Sequence, residues 1–555
     1  MSSSKHTNWY KNAVIYQIYP RSFCDTNGDG LGDIPGIISK LDYLKELGVN
    51  CVWLSPVYNS PQKDNGYDIS DYKNIYPPFG TMDDFKKMIK GMHERGIRLI
   101  MDLVVNHTSD KHKWFLSAIS DKNSPYRDYY FIRKGKKNGK KPPNNWQGFF
   151  GEGAWTRIEG TDEWYLHLFT KEQPDLNWDN SKVREDVKDI LRFWLDLGVD
   201  GFRCDVINLI SKKSDFRSRF PAIALTGKDA YINGPHLHEY LHGLYTDVYA
   251  NYDCMTVGEA VMATPKVNIE LVDPAREELD MIFNFSHTDA DNYLGVKYFY
   301  RKFKLVRFKK RLNKQQVSLK GKGWNSLFVE NHDQRRSVGR FGTIETDINS
   351  SKALATSYFF LQGTPFIYQG QEIGMRNAEF KSMDEIKDVE SHNIRATADK
   401  IPFIGKKIKK LIYDVSRDNA RTPMIWDDSE FGGFSNVEPW IRVNPSKNKV
   451  NVKEALNNKD SLFYFYQGLI RFKLNHKVIE NGNFKMIGLN NPHFFSYERE
   501  NENEKVVVVT NYTNKQRKCR YTRGLEDKDI VISNFDNHSK IFEPFETRVY
   551  CIKKN

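Results

Sequence analysis

Residues 201–209 read GFRCDVINL, and the fold turns on how that stretch is understood. An apolar lead-in ending at Phe202 gives way to an arginine, a cysteine and an aspartate, then to VINLI. In a β-strand, residues i and i+2 face the same side, so Arg203 and Asp205 would lie together where water is scarce. The segment is apolar throughout rather than alternating, the pattern of a parallel strand covered on both faces. Seven other runs share it: VIYQIYP (14–20), CVWLSP (51–56), RLIMDLVV (98–105), MTVGEA (255–260), MIFNFS (281–286), SLFVENHD (326–333) and TPFIYQG (364–370). Helix-period segments separate them. In IPGIISKLDYLKELG (34–48), Ile37, Leu41, Leu44 and Leu47 share one face and Gly48 ends the helix. Eight strand–helix units in series predict an α/β fold of the (β/α)8 barrel type.

Two stretches break the rhythm. The interval after the third strand is long and rich in Asn, Gly, Pro and aromatics, as in KKPPNNWQGFFGEGAWTRIEG and WYLHLFTKEQPDLNWDN, and predicts an inserted subdomain over 106–173. After about residue 480 the pattern becomes short and alternating (FKMIGL, HFFSYERE, KVVVVTNYT, ETRVYCI), which predicts an appended antiparallel β-sandwich. The expected division is 1–105 and 174–480 for the barrel, 106–173 for the insert and 481–555 for the sandwich.

Composition narrows the class. In 555 residues, 83 basic side chains are interspersed with 71 acidic ones, leaving a net charge of +12. That is a solvated surface rather than a nucleic-acid footprint. The most basic run, YRKFKLVRFKKRLNK (300–314), reads as one face of an amphipathic helix. Six scattered cysteines (Cys24, Cys51, Cys204, Cys254, Cys519, Cys551) form no C-x-x-C pair, the usage of a cytosolic protein with reduced thiols. No segment has the length of an apolar membrane span, and the N-terminal residues lack a signal-peptide core. Neither a membrane nor a nucleic-acid partner is expected.

Barrel enzymes do chemistry at the C-terminal ends of their strands. The acids falling there are Asp102, with His107 beyond it, then Asp205, Glu259 and Asp333. Three carboxylates from separate strands converging on one place need a compensating charge, and Arg203 and His332 supply cationic or donor groups. Paired carboxylates flanking a reactive centre are the apparatus of glycoside hydrolysis. Asp205, held ionised by Arg203, suits a nucleophile. Glu259, following an apolar strand, suits the proton donor. Asp333 suits a stabiliser of positive charge on the sugar.

DLVVNH (102–107), GFRCD (201–205), GEA (258–260) and ENHD (330–333) resemble the four signature regions of glycoside hydrolase family 13, the α-amylase family. QPDLNWDN (173–180), VWLSP in the second strand and GTPFIYQGQEIGM (363–375) resemble its oligo-1,6-glucosidase subgroup. The resemblance covers nearly the whole chain in order and spacing. It implies an inserted domain B, a C-terminal β domain and a retaining mechanism with Asp205 as nucleophile, Glu259 as acid/base and Asp333 as transition-state stabiliser. By the same resemblance Tyr67 is a platform for the terminal glucose, and His107, Phe169, Arg203 and His332 line its subsite. Asp64 and Arg417 would grip its hydroxyls and close the pocket, so that glucose leaves one unit at a time. Val206 resembles members preferring α-1,6 linkages. The expected partner is a small oligosaccharide, and the expected state a monomer or weak dimer.

DTNGDGLGD (25–33) sets Asp25, Asn27, Asp29 and Asp33 at positions one, three, five and nine, with Gly30 at six and a backbone oxygen on offer at Leu31. That spacing suits a hard cation such as calcium, although Gly36 stands where a helix–loop–helix calcium site has Glu. Similar loops in the subgroup bind calcium, and a structural ion away from the chemistry is expected, with no organic cofactor. Arg335, where most relatives have Pro, GEAVMAT after the acid, and Cys204 depart from the family pattern; the first two touch the preference for the leaving group. Rival activities on the same scaffold are sucrose isomerase, which HTDAD (287–291) disfavours for want of arginines, trehalose-6-phosphate hydrolase, and maltase or sucrase. A non-catalytic transporter heavy chain would need a membrane helix and often lacks the acids.

Overall fold

The computed structural model describes residues 7–222, 224–293, 296–399 and 405–554. The eight apolar runs form a closed barrel of parallel strands. These are β1 (Ile15–Ile18), β2 (Cys51–Leu54), β3 (Arg98–Leu103), β4 (Gly201–Cys204), β5 (Met255–Glu259), β6 (Met281–Phe283), β7 (Trp324–Leu327) and β8 (Thr364–Tyr368). They pair in sequence order around the ring, β1 closing on β8. The chain is thus the (β/α)8 barrel its patterning predicts, and strands buried on both sides explain the unbroken apolar runs.

Three local readings shift. The helix read over 34–48 is broken at Lys40 into Ile34–Ser39 and Leu41–Leu47, with Gly48 capping the second half at φ 95°. Gly accepts that left-handed turn without strain. β7 stops at Leu327, so ENHD lies wholly in the loop beyond it. The basic run 300–314 is helical only from Leu305, within Leu305–Leu319, because residues up to Tyr300 pair as a strand.

Between β3 and β4, an antiparallel three-stranded sheet (Ile132–Lys134, Glu163–Leu166, Trp155–Arg157) stands over the barrel rim. The loop after β4 packs on it: Phe216 stacks with Trp146 at 5.5 Å, and Trp146 Nε1 donates to the Arg217 carbonyl. A long excursion follows β8 before the helix Leu462–Asn475, and carries the helices Val389–Asp399, Gly405–Val415 and Asp418–Arg421. Beyond residue 482 a five-stranded antiparallel sheet has the order 483–487, 494–500, 504–511, 547–553, 530–533. One of its faces, with Phe495, Tyr497, Val506, Val508 and Val549, joins the barrel's core; the other packs Phe494, Val507, Val509 and Tyr550 against Cys519 and Phe542. All six cysteines are unpaired. Among the described residues no helix is long and apolar enough to cross a membrane.

Candidate active site

The register of three neighbouring strands builds the centre. Asp102 on β3 lies opposite Arg203 on β4, which lies opposite Val257 on β5, two residues before Glu259. Arg203, fully buried, donates from Nη1 to Asp102 at 2.5 Å and to Asp205 at 2.6 Å, and from Nη2 to Glu259. The i, i+2 spacing of the opening stretch therefore does set Arg203 and Asp205 side by side, although the strand itself ends at Cys204. One guanidinium holds three carboxylates.

That charge is too thinly spread to keep all of them ionised. Burial pushes Asp205 up to about 7 against the pull of Arg203, with Asp102 adding repulsion. Burial likewise raises Glu259 to about 7, against Arg203 and with Asp205 and Asp333 repelling it, and Asp102 to about 6. Burial opposes the charge of Asp205, and Arg203, shared with Asp102 and Glu259, offsets it only in part. The Asp205–Glu259 pair instead retains a proton near neutral pH, and two adjacent carboxyls holding one proton can divide the roles of base and acid.

Asp333 lies in the opposite situation. Burial opposes its charge, yet the adjacent His332 ring and the guanidiniums of Arg417 and Arg421 outweigh it and hold the carboxyl well below the usual range. Arg421 Nη2 donates to Asp333 Oδ1 at 2.7 Å, and Arg417 Nη1 approaches the same oxygen at 3.3 Å. Asp388 orients Arg417 through two bonds of 2.9 and 2.7 Å. On its far side Arg417 comes within 3.5 Å of Asp64.

The remaining expected residues join the same network. Burial lowers the His332 imidazole to about 3 and keeps it neutral. Gln17 donates to Nδ1 at 2.8 Å, leaving Nε2–H to donate to the Tyr67 hydroxyl at 2.7 Å. The Tyr67 ring stacks on His332 at 5.4 Å. Gln173 Nε2 lies 3.2 Å from Asp64 Oδ2 and 3.1 Å from His107 Nε2, and His107 packs on Phe169 at 5.2 Å. Val206 is not a strand residue: it sits at φ 35°, ψ 40°, left-handed backbone that a β-branched side chain rarely adopts, in an apolar cluster shared with Phe169, Leu209 and Tyr231.

Several participants escaped the sequence reading. Asp388, Gln173 and Arg421 are three, though Arg421 stands four residues after Arg417 on one short turn, a spacing that puts both on one face. Lys212 is another. Its buried ammonium lies 2.8 Å from Asp175 and donates to Asn106 and the Leu209 carbonyl at 2.9 and 2.8 Å, tying the loop after β4 to the insert. Arg335 is engaged: it pairs with Asp291 at 2.8 Å and lies over the Tyr300 ring.

The 25–33 loop is turned inward on itself. Asp25 accepts from the amides of Gly28 and Gly30 and from Ser435 Oγ. Asn27 accepts from Asp29 N, and Asp29 from Leu31 N. Asp33 accepts from Thr26 and Asn27 and caps the following helix through Gly36 N. Its three carboxylates do not come within 4.8 Å of one another as a ligand group. The donors are all oxygens, and those of Asp25, Asn27 and Asp29 each keep a lone pair, which is the donor chemistry a hard cation takes.

The alpha-amylase catalytic-domain family model matches residues 17–482. An oligo-1,6-glucosidase of Parageobacillus thermoglucosidasius is 49% identical over 558 residues, 98% of this chain and 99% of that protein. A trehalose-6-phosphate hydrolase of Bacillus subtilis is 45% identical over 562 residues, 99% of both chains. Among solved structures, the trehalulose synthase of Pseudomonas mesoacidophila superposes with a TM-score of 0.93 at 37% identity, over 98% of this chain and 99% of that one.

Proposed function

The chain belongs to the α-amylase family of glycoside hydrolases, and on that premise we propose that it is an exo-acting, retaining α-glucosidase that removes terminal α-1,6-linked glucose from isomaltose and short isomalto-oligosaccharides. One observation carries the reading: Asp205 and Glu259 lie on the two Nη atoms of a single guanidinium. A shared guanidinium keeps both carboxyls at one centre, which supports double displacement, the mechanism in which the two carboxyls stand about 5–5.5 Å apart.

In this mechanism the ionised Asp205 attacks the anomeric carbon while Glu259 delivers the shared proton to the departing oxygen. The glycosyl ester forms as the C–O bond breaks. Glu259, now ionised, takes a proton from water, which attacks the ester and regenerates Asp205 with net retention. Asp333, kept anionic by Arg417 and Arg421, offsets the charge of the oxocarbenium-like transition state. Tyr67, stacked on His332, offers an aromatic face to the glucose ring, with His107 and Phe169 beside it. The Asp64–Arg417 contact stands behind it as a wall, which makes the action exo. Val206, bulky and next to the nucleophile, favours the more flexible α-1,6 linkage. The trehalose-6-phosphate reading is the second one, because Arg335 and Arg340 share the single carboxylate of Asp291 and leave positive charge beside the site.

We also infer that Asp25, Asn27, Asp29, Asp33 and the Leu31 carbonyl hold a structural calcium ion that stiffens the loop before the first barrel helix. It takes no part in the chemistry. Chelation should lower the thermal midpoint and calcium restore it; an unchanged midpoint contradicts this. For the activity, purified protein is given isomaltose, maltose, sucrose and trehalose 6-phosphate in parallel and glucose release is followed, with NMR of the first anomer formed. The proposal expects isomaltose to lead and α-glucose to appear first. A lead by another substrate, or β-glucose first, overturns it.

A further inference from the structure

We propose that His476, Glu504 and Cys551 form a binding site for a zinc-class divalent metal ion that ties the last barrel helix to the C-terminal sheet. The residues come from three elements. His476 follows the helix Leu462–Asn475, Glu504 begins the strand Glu504–Asn511, and Cys551 lies on the strand Thr547–Lys553. Val506 is paired with Cys551 and Glu504 with Lys553, so Glu504 and Cys551 are diagonal neighbours on one face of the sheet. His476 closes over them. Its ring is set by Phe472, stacked at 4.0 Å and 19°.

The separations are close to those a metal requires. His476 Nδ1 lies 3.1 and 3.2 Å from the two Glu504 oxygens and 3.9 Å from Cys551 Sγ. All three ligand atoms fall within 4.8 Å of one another. A tetrahedral zinc with bonds of about 2.0 Å to N and O and about 2.3 Å to S sets N···O near 3.3 Å and N···S near 3.5 Å. The two separations from His476 differ from these by a few tenths of an ångström, and the third pair, Glu504 and Cys551, lies within 4.8 Å. Imidazole, carboxylate and thiol together are the donor mixture that borderline-soft ions prefer, and oxygen-seeking calcium or magnesium do not. All three residues are half-buried, which leaves a fourth position open to water. Among the described residues no other group of three such side chains is gathered this closely.

Binding exchanges protons as well as ligands. The Cys551 S–H bond breaks, its proton passing to solvent as the thiolate joins the metal, and the Nδ1 proton of His476 is replaced by one on Nε2. No change of oxidation state is involved.

The test uses the full-length protein, reduced and freed of metal, titrated with cobalt(II) while the thiolate-to-cobalt charge-transfer absorption is followed. The proposal expects one saturable equivalent, displaced by zinc. It also expects the band to vanish in Cys551→Ser and the affinity to fall at least tenfold in His476→Gln. Oxygen donors of the 25–33 loop give no such band, so that site cannot mimic the signal. Zinc at a hundredfold excess over its Kd should raise the thermal midpoint of the unmodified protein by about 2 °C and that of Cys551→Ser by nothing. Absence of the band in the unmodified protein, or a band unchanged in Cys551→Ser, overturns the proposal. Glucose release by both variants should match the parent, which separates this outcome from any failure of the catalytic reading.

Discussion

Replacing Arg203 by Gln removes the one positive charge that Asp102, Asp205 and Glu259 share. At a charge separation of roughly 4 Å and an effective dielectric of about 20, each pairing is worth about 4 kcal/mol. Divided by 1.36 kcal/mol per pH unit, that corresponds to carboxyls holding their protons through about 3 more pH units. Burial already raises both Asp205 and Glu259 to about 7, so in the variant both stay protonated at neutral pH and the attacking carboxylate is quenched. Activity at neutral pH should drop about a thousandfold and climb about tenfold per pH unit as the solution is made alkaline. The assay is kcat/KM on isomaltose between about pH 6 and pH 9, with circular dichroism and thermal melting to confirm a folded protein. Arg203→Lys keeps a charge but cannot reach three acids, and its acid limb should fall between the two. A loss in Arg203→Gln that is the same at every pH would falsify the reasoning, since it would mean that Arg203 does something other than govern the protons of its neighbours.

Other expectations follow from neighbouring contacts. Val206→Ala should raise activity on maltose relative to isomaltose by about tenfold, the scale set by a methylene or two in an apolar wall; no gain in a side-by-side assay contradicts the role given to it. Lys212→Met leaves Asp175 buried without its partner at a cost of about 3–5 kcal/mol. With an unfolding entropy near 2.1 cal/mol/K per residue, that is a fall of about 3–4 °C in the melting midpoint, and an unshifted midpoint would show that the pair contributes nothing net. In the parent enzyme, kcat should decline as the pH rises through about 7 to 8 and the proton kept by the Asp205–Glu259 pair is lost. A plateau out to about pH 9 argues against that proton as the catalytic one.

The barrel was legible because parallel strands buried on both faces must be apolar throughout, and eight such runs survive any reading of the sequence. The clustering of Arg203, Asp205, Glu259 and Asp333 was legible too, since strand ends of a barrel converge whatever lies between them. What escaped came from connections. Asp388 and Arg421 lie in the excursion after β8, where short helices and loops carry no periodic signal, and only the three-dimensional path returns them to Asp333. The Val206 backbone could not be anticipated, because β-branched residues avoid left-handed dihedrals and only the surrounding cluster imposes one. The 25–33 loop shows a limit of another kind. Spacing announces oxygen donors, but the same Asp and Asn side chains satisfy backbone amides of their own turns. The balance at Asp205 is hidden for a similar reason: the sequence displays one neighbouring arginine, not the burial or the two other acids that share it.

The central claim is that Asp205 becomes covalently bonded to the sugar. The direct measurement is mass spectrometry of proteolysed enzyme after incubation with 5-fluoro-α-D-glucosyl fluoride, which forms the glycosyl ester quickly and loses it slowly. The account predicts a single fluoroglucosyl adduct on the peptide containing Asp205 and none on Asp205→Asn. An adduct on Glu259 or Asp333 instead, or none while the parent enzyme still splits isomaltose, would contradict it.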